Sequence, residues 1–172
     1  MKNIILFAII MGVGMAGALL PADRTWAESL NLEGASVEEL SRLAWDALHR
    51  ADYPALETVF EAAVRMYEPQ AMTLHSSLSD FPPRAKIDDY KLMNEVAAVY
   101  FVRLEGLRMQ GRTDEAVALA QAIIKQYPYS QSWDASRGGY WSIAEKSQII
   151  MDQLTGVAEQ REEAARNAPL TR

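Results

Sequence analysis

The stretch GRTDEAVALAQAIIKQYPYS (residues 111–130) decides how this chain is to be read. Gly111 offers a turn, and Thr113 offers a cap with Asp114 and Glu115 at the positive end of a helix. Ala116, Ala120, Ile123, Ile124 and Tyr127 then recur at three- and four-residue steps until Pro128 ends the pattern. This predicts one amphipathic helix with small residues on its inner face. Small residues matter because the distance between packed helices is set by the side chains at the contact.

Upstream, a long helical pattern starts at Asp88 and carries Met93, Val96, Ala97, Tyr100, Leu104 and Leu107 as far as Met109. Before it lies QAMTLHSSLSDFPPRAKIDD (residues 70–89), whose serines and Pro82-Pro83 predict a connector with at most one short helical turn. Farther back, Ser36 and Glu39 have capping-box spacing. Leu40, Leu43, Ala44, Ala47 and Leu48 follow on one face. After the break ADYPA, Pro54 suits the first turn of a second helix, with Leu56, Phe60, Ala63, Val64 and Tyr67 inward and Pro69 closing it. Downstream of Pro128, YSQSWDASRGG predicts a loop. A last helix is expected from about Tyr140 to Leu154, stopped by Gly156. No period-two run predicts a strand, so the chain reads as all-α.

The first 27 residues read as a secretory signal: Lys2, an uncharged apolar run from Ile4 to Leu20, Pro21, then Thr25 and Ala27 as the small residues of a cleavage site before Glu28. The alternative is a retained anchor, since 17 apolar residues reach the lower edge of spanning length. Gly12, Gly14 and Gly17 spell G-x-G-x-x-G, but no second strand with an acid follows, so a dinucleotide site is not expected. Cleavage would leave residues 28–156 as one helical domain. The polar segment 157–172 would follow as a frayed helix or disordered tail.

Without the signal the chain carries 15 basic and 22 acidic residues, a formal charge of −7 that gives no footprint for nucleic acid or anionic lipid. The chain contains no cysteine, which removes disulfides, thiolate chemistry and lipid attachment at a cleavage-site cysteine.

The helix pair over residues 95–128 spans about the length of one tetratricopeptide unit, ~34 residues. It resembles that family at Tyr100, Gly111, Ala116, Ala120 and Pro128. The pair over residues 36–69 resembles it more loosely. There ADYPAL stands at the turn, and Phe60 and Ala63 fit, but Trp45 is shifted, Leu56 replaces an alanine and Pro69 lies one residue late. The last helix would be the first half of a third unit. The resemblance implies a short α-solenoid with a C-terminal capping helix and a groove lined by the first helix of each pair. Asn94, Tyr100 and Arg103 would then be contact residues. Exported members with a lipid-anchored start carry a cysteine, which this chain lacks. Short solenoids need caps, which the long first helix of the second pair, the Pro-rich connector and the final helix would supply; self-association through an uncovered end is the alternative.

Candidate chemistry is sparse. His49 and His75 lack metal-ligand spacing with each other or with a carboxylate, and no metal or cofactor is expected. HSSLSD puts Ser, His and Asp together, but such residues in a serine-rich connector are turn formers. Asp88 and Asp89 suit a helix dipole. The aromatic-rich loop is sharper: Tyr129, Trp133 and Arg137 are of the types that dominate binding hot spots. Tyr127 and Trp141 are expected to pack inward. The expected function is therefore a non-catalytic, exported scaffold, periplasmic or extracellular, that binds a protein or peptide through Asn94, Tyr100, Arg103, Tyr129, Trp133 and Arg137. The alternatives are a helical cell-wall hydrolase built on Glu95 or Glu105, and a membrane-anchored subunit with an uncleaved first helix.

Overall fold

The computed structural model describes residues 30 and 32–156, so the expected signal and polar tail lie outside the described residues. The described residues are mostly helical, with one small antiparallel sheet. Helix α1 (Val37–His49) starts where Ser36 Oγ accepts from the Glu39 N–H at 3.2 Å, with Glu38 and Glu39 in its first turn. It buries Leu40, Leu43, Ala44, Ala47 and Leu48, the face that the periodicity predicts. Ala51 turns the chain with a φ of 54°, in the left-handed region, and the Asp52 carboxylate accepts from the Ala55 N–H.

Helix α2 (Tyr53–Ser76) does not stop at Pro69 as the sequence predicts. Proline lacks the N–H that would bond to the Arg65 carbonyl, at a cost of about 3 kcal/mol in a helix interior. The helix crosses it because its last turns are held from outside. Ala71 is fully buried, Leu74 packs on the core and Thr73 Oγ1 donates to the Pro69 carbonyl at 2.9 Å.

A 3-10 helix (Arg84–Tyr90) occupies the end of the connector, so Asp88 precedes the next α-helix rather than starting it. Helix α3 (Lys91–Met109) is the centre of the molecule. It packs against α1, α2, helix α4 (Thr113–Gln126) and helix α5 (Ile143–Leu154). Its Gly106 lets the α1–α2 corner approach: a Cβ there would lie 2.6 Å from Leu56 Cδ2, with Leu48 and Tyr53 close behind. Gly111, at a φ of 70°, makes the turn into α4. Thr113 does not cap that helix; Arg112 holds the cap position and its guanidinium pairs with Glu115 instead.

The main departure from the all-α reading follows Tyr127. Strands β1 (Gln131–Asp134) and β2 (Gly139–Ser142) form a hairpin where a loop and a helix start are predicted. Its turn is built by Asp134, whose carboxylate accepts from the Ser136 and Arg137 N–H groups and the Ser136 hydroxyl, and by Gly138 at a φ of 65°. The Ser136 hydroxyl and those amides hold the Asp134 carboxyl below its ordinary pKa. Helix α5 then begins at Ile143 rather than Tyr140, capped by the Ser142 hydroxyl accepting from the Glu145 N–H. Gly156 ends it, at a φ of 71°.

Candidate binding clefts around the hairpin

One face of α3 carries Asn94, Ala98, Phe101 and Glu105 at steps of four, three and four residues, which align on a helix. The hairpin lies across that face. The Gln131 N–H donates to Asn94 Oδ1 at 2.9 Å, and the Trp141 ring meets the Phe101 ring edge-on, centroids 5.1 Å apart. Trp45 of α1 reaches Phe101 at 6.5 Å, so an aromatic row crosses from α1 over α3 to the hairpin.

Two hollows result. The larger, about 650 Å³ and open to solvent, lies between Phe101 and Glu105 of α3, Arg137 and Trp141 of the hairpin, and Lys146 and Ile149 of α5. The smaller, about 180 Å³, lies between the start of α3 and the other side of the hairpin. Asp88, Lys91, Asn94, Glu95, Trp133 and Tyr140 are among its lining residues. Trp133 and Tyr140 are cross-strand partners with edge-to-face rings 5.0 Å apart, and they remain 47% and 39% exposed. Ile149 is 49% exposed beside the larger hollow. Trp133, Tyr140 and Ile149 thus gather exposed apolar surface around the two hollows.

The residues expected to bind do not all come together. Asn94, Trp133 and Arg137 reach the hairpin hollows, where the exposed Arg137 pairs with Asp134 at 3.4 Å. Tyr129 lies apart, partly buried between the rings of Phe81 and His75. Tyr100 and Arg103 face away from the hairpin, which corrects the expectation of one groove shared with Asn94. At about 100° per residue, the nine-residue step from Asn94 to Arg103 reverses direction across the helix. The Tyr100 hydroxyl is buried and donates to Glu68, while Arg103 Nε donates to both Glu57 oxygens and its guanidinium covers the Phe60 ring at 4.3 Å. Both side chains are engaged in joining α2 to α3.

Burial raises the Tyr100 phenol above its ordinary pKa, and the hydrogen bond to Glu68 adds to the rise. Burial does the same for Tyr127, which packs inward as expected and whose hydroxyl has no partner among the described residues. The HSSLSD hydroxyls are used locally: Ser76 donates to the Thr73 carbonyl and Ser77 to that of Leu74. Glu95 lines the smaller hollow; Glu105 lines the larger and pairs with Arg108 at 2.7 Å. Among the described residues no group of three or more acidic or histidine side chains is placed to hold a metal ion, and no helix is long and apolar enough to cross a membrane.

Sequence reasoning did not single out Phe101, Tyr140 or Ile149 for the site. The signal for Tyr140 was present, since Asp134 and two glycines between aromatic-bearing flanks are hairpin chemistry. The chain has no significant match to a family model, a curated protein or a solved structure.

Proposed function

We propose that this chain is a non-catalytic, tetratricopeptide-like scaffold, exported to the cell envelope, that holds a segment of a protein partner against its β-hairpin. The observation that carries the reading is the exposed Trp133–Tyr140 pair, placed side by side across β1 and β2 and lining a hollow on α3. Aromatic anchors beside a hollow are the usual centre of binding energy in a protein interface.

The helical order supports the solenoid part of the proposal. Helices α1 and α3 pack against each other with α2 linking them, while α5 packs mainly on α4 and makes a smaller contact with α3. The two helix turns also share a pattern. His49 and Met109 each end a helix, a left-handed residue follows two positions later (Ala51, Gly111), and the next helix starts two positions after that (Tyr53, Thr113). This is what a repeated hairpin requires.

The experiment is affinity capture from envelope extracts with the mature protein and with the Trp133→Ala/Tyr140→Ala double variant. The expected result is a stable protein partner whose affinity for the double variant falls by about tenfold or more. Hydrolysis of glycan or peptide by the purified protein, without a retained partner, would overturn the proposal in favour of the hydrolase. N-terminal sequencing of the exported protein tests the address: a start at Glu28 is expected, and an intact Met1 would favour the anchored subunit.

A further inference from the structure

The smaller hollow has a chemistry of its own. Lys91 is the only cation among its lining residues, and its ammonium is already bound to Glu38 of α1 at 3.1 Å. Asp88 and Glu95, which also line the hollow, stand three residues before and four residues after Lys91 and act on the same ammonium. One positive charge thus answers three carboxylates, which leaves this corner with a formal charge of −2. Neither Asp88 nor Glu95 forms a salt bridge with a described residue. Arg84 is not among the lining residues here; it lines an adjoining hollow that shares Ile87, Gln131 and Tyr140 with this one. Over the same space stand the indole of Trp133 and the phenol of Tyr140, and aromatic faces attract cations.

Two further observations narrow the ligand. Asn94 is 9% exposed and lines the hollow. Its Oδ1 is taken by the Gln131 N–H, but its Nδ2 has no partner among the described residues and is left with two N–H groups to donate. The site therefore presents a donor beside the carboxylates. The volume of about 180 Å³ is well below the ~300–1,000 Å³ of small-molecule sites. That is room for a single side chain rather than for a whole small molecule.

We infer that this hollow is the receptor for a single lysine or arginine side chain of the partner segment. Its charged end is held between Asp88 and Glu95 under the Trp133–Tyr140 pair, and a carbonyl of its backbone accepts from Asn94 Nδ2. The inference rests on the scaffold reading and specifies the partner: a protein segment with a basic residue at its anchor point. An acidic or purely apolar segment would meet unanswered carboxylates there, which are costly to cover without a counter-charge.

The test is an NMR titration of the isotope-labelled full mature chain, following the Trp133 indole N–H and the Asn94 side-chain NH₂. The probes are N-acetyl-lysine N-methylamide and its arginine counterpart, the norleucine amide as the neutral analogue, and butylammonium as a cation without a carbonyl. Saturable shifts of both signals are expected with the lysine or arginine amide, and none with norleucine. Affinity should fall at least about fivefold in Asp88→Asn/Glu95→Gln and fall again with added salt, as exposed charge pairing is screened. Both side chains reach solvent and support no other element, and far-ultraviolet circular dichroism checks that the variant is folded. Equal binding of norleucine, no saturable shift, or unchanged affinity in the variant would each overturn the inference. Butylammonium binding as tightly as the lysine amide would also overturn it, in favour of a free-amine site. A captured partner that binds Asp88→Asn/Glu95→Gln undiminished leaves the scaffold standing without this receptor. Amide binding with no captured partner does the reverse.

Discussion

Trp141 meets Phe101 edge-on at 5.1 Å, and through this contact the hairpin becomes part of the α3 surface. Trp141 comes from β2 and Phe101 from the middle of the most buried helix. Two four-residue strands form no stable unit in water, so the hairpin keeps its shape only against a packed face. Trp141→Ala is expected to cost about 2–3 kcal/mol, below the ~3–5 kcal/mol of a fully buried aromatic because the indole is partly exposed. A double-mutant cycle with Phe101→Ala should return a coupling of about 0.5–1.5 kcal/mol. Urea denaturation measures both, and additive losses would show that the ring pair is not what holds the hairpin.

Gly106→Ala reverses the usual helix rule. Alanine should gain about 1 kcal/mol over glycine in a helix interior. Here the added methyl would meet Leu56, which is itself buried at 2% exposure and has little room to withdraw. Overpacking of this kind costs about 1–3 kcal/mol. We expect a net loss and a fall in Tm of a few degrees, roughly 2–4 °C per kcal/mol at this size. A rise in Tm would mean that α1 and α2 yield easily.

Pro69→Ala is expected to stabilise. The substitution restores the N–H that bonds to the Arg65 carbonyl and removes a residue about 3 kcal/mol unfavourable in a helix interior. Some of that cost is already offset by local relaxation, so a gain of about 1–2 kcal/mol in denaturant unfolding is expected. No gain would show that the proline itself helps to position Ala71 and Leu74.

The two raised phenols predict an alkaline limit. A group whose folded pKa lies above its unfolded value contributes stability that is complete below the unfolded pKa, about 10 for tyrosine, and is lost as pH rises beyond it. Tyr100 and Tyr127 both shift upward, so stability should be lost above about pH 10. Phenolate absorbance should show these two titrating together with unfolding. Tyr100→Phe should cost about 1 kcal/mol through the bond to Glu68, whereas Tyr127→Phe should be neutral or slightly stabilising because its hydroxyl has no partner. Equal losses would overturn that distinction.

Most of the helical frame was legible in the residues. Ser36, Gly111 and Gly156 mark boundaries because caps and left-handed turns depend on local chemistry. The alanine faces predict which sides are buried because helical period and burial are tied by geometry alone. The stop at Pro69, the cap at Thr113 and the loop at residues 131–134 were also local readings, and each was overruled. In α2, distant core contacts outweigh the local cost of proline, and at Arg112 a guanidinium–carboxylate pair stands where a hydroxyl cap was expected.

The site divides the same way. The sequence by itself determined that an aromatic, polar segment would follow Pro128 and that Asn94 and Trp133 were candidates. Only the tertiary structure decided that they share a hollow with Asp88, Glu95 and Tyr140, and that Tyr100 and Arg103 turn to α2. The physical reason is range. Helix propensity, capping and periodicity act over a few residues, whereas the hollow is made by strands that become strands only when Asn94 and Phe101, some 40 residues earlier, are already in place.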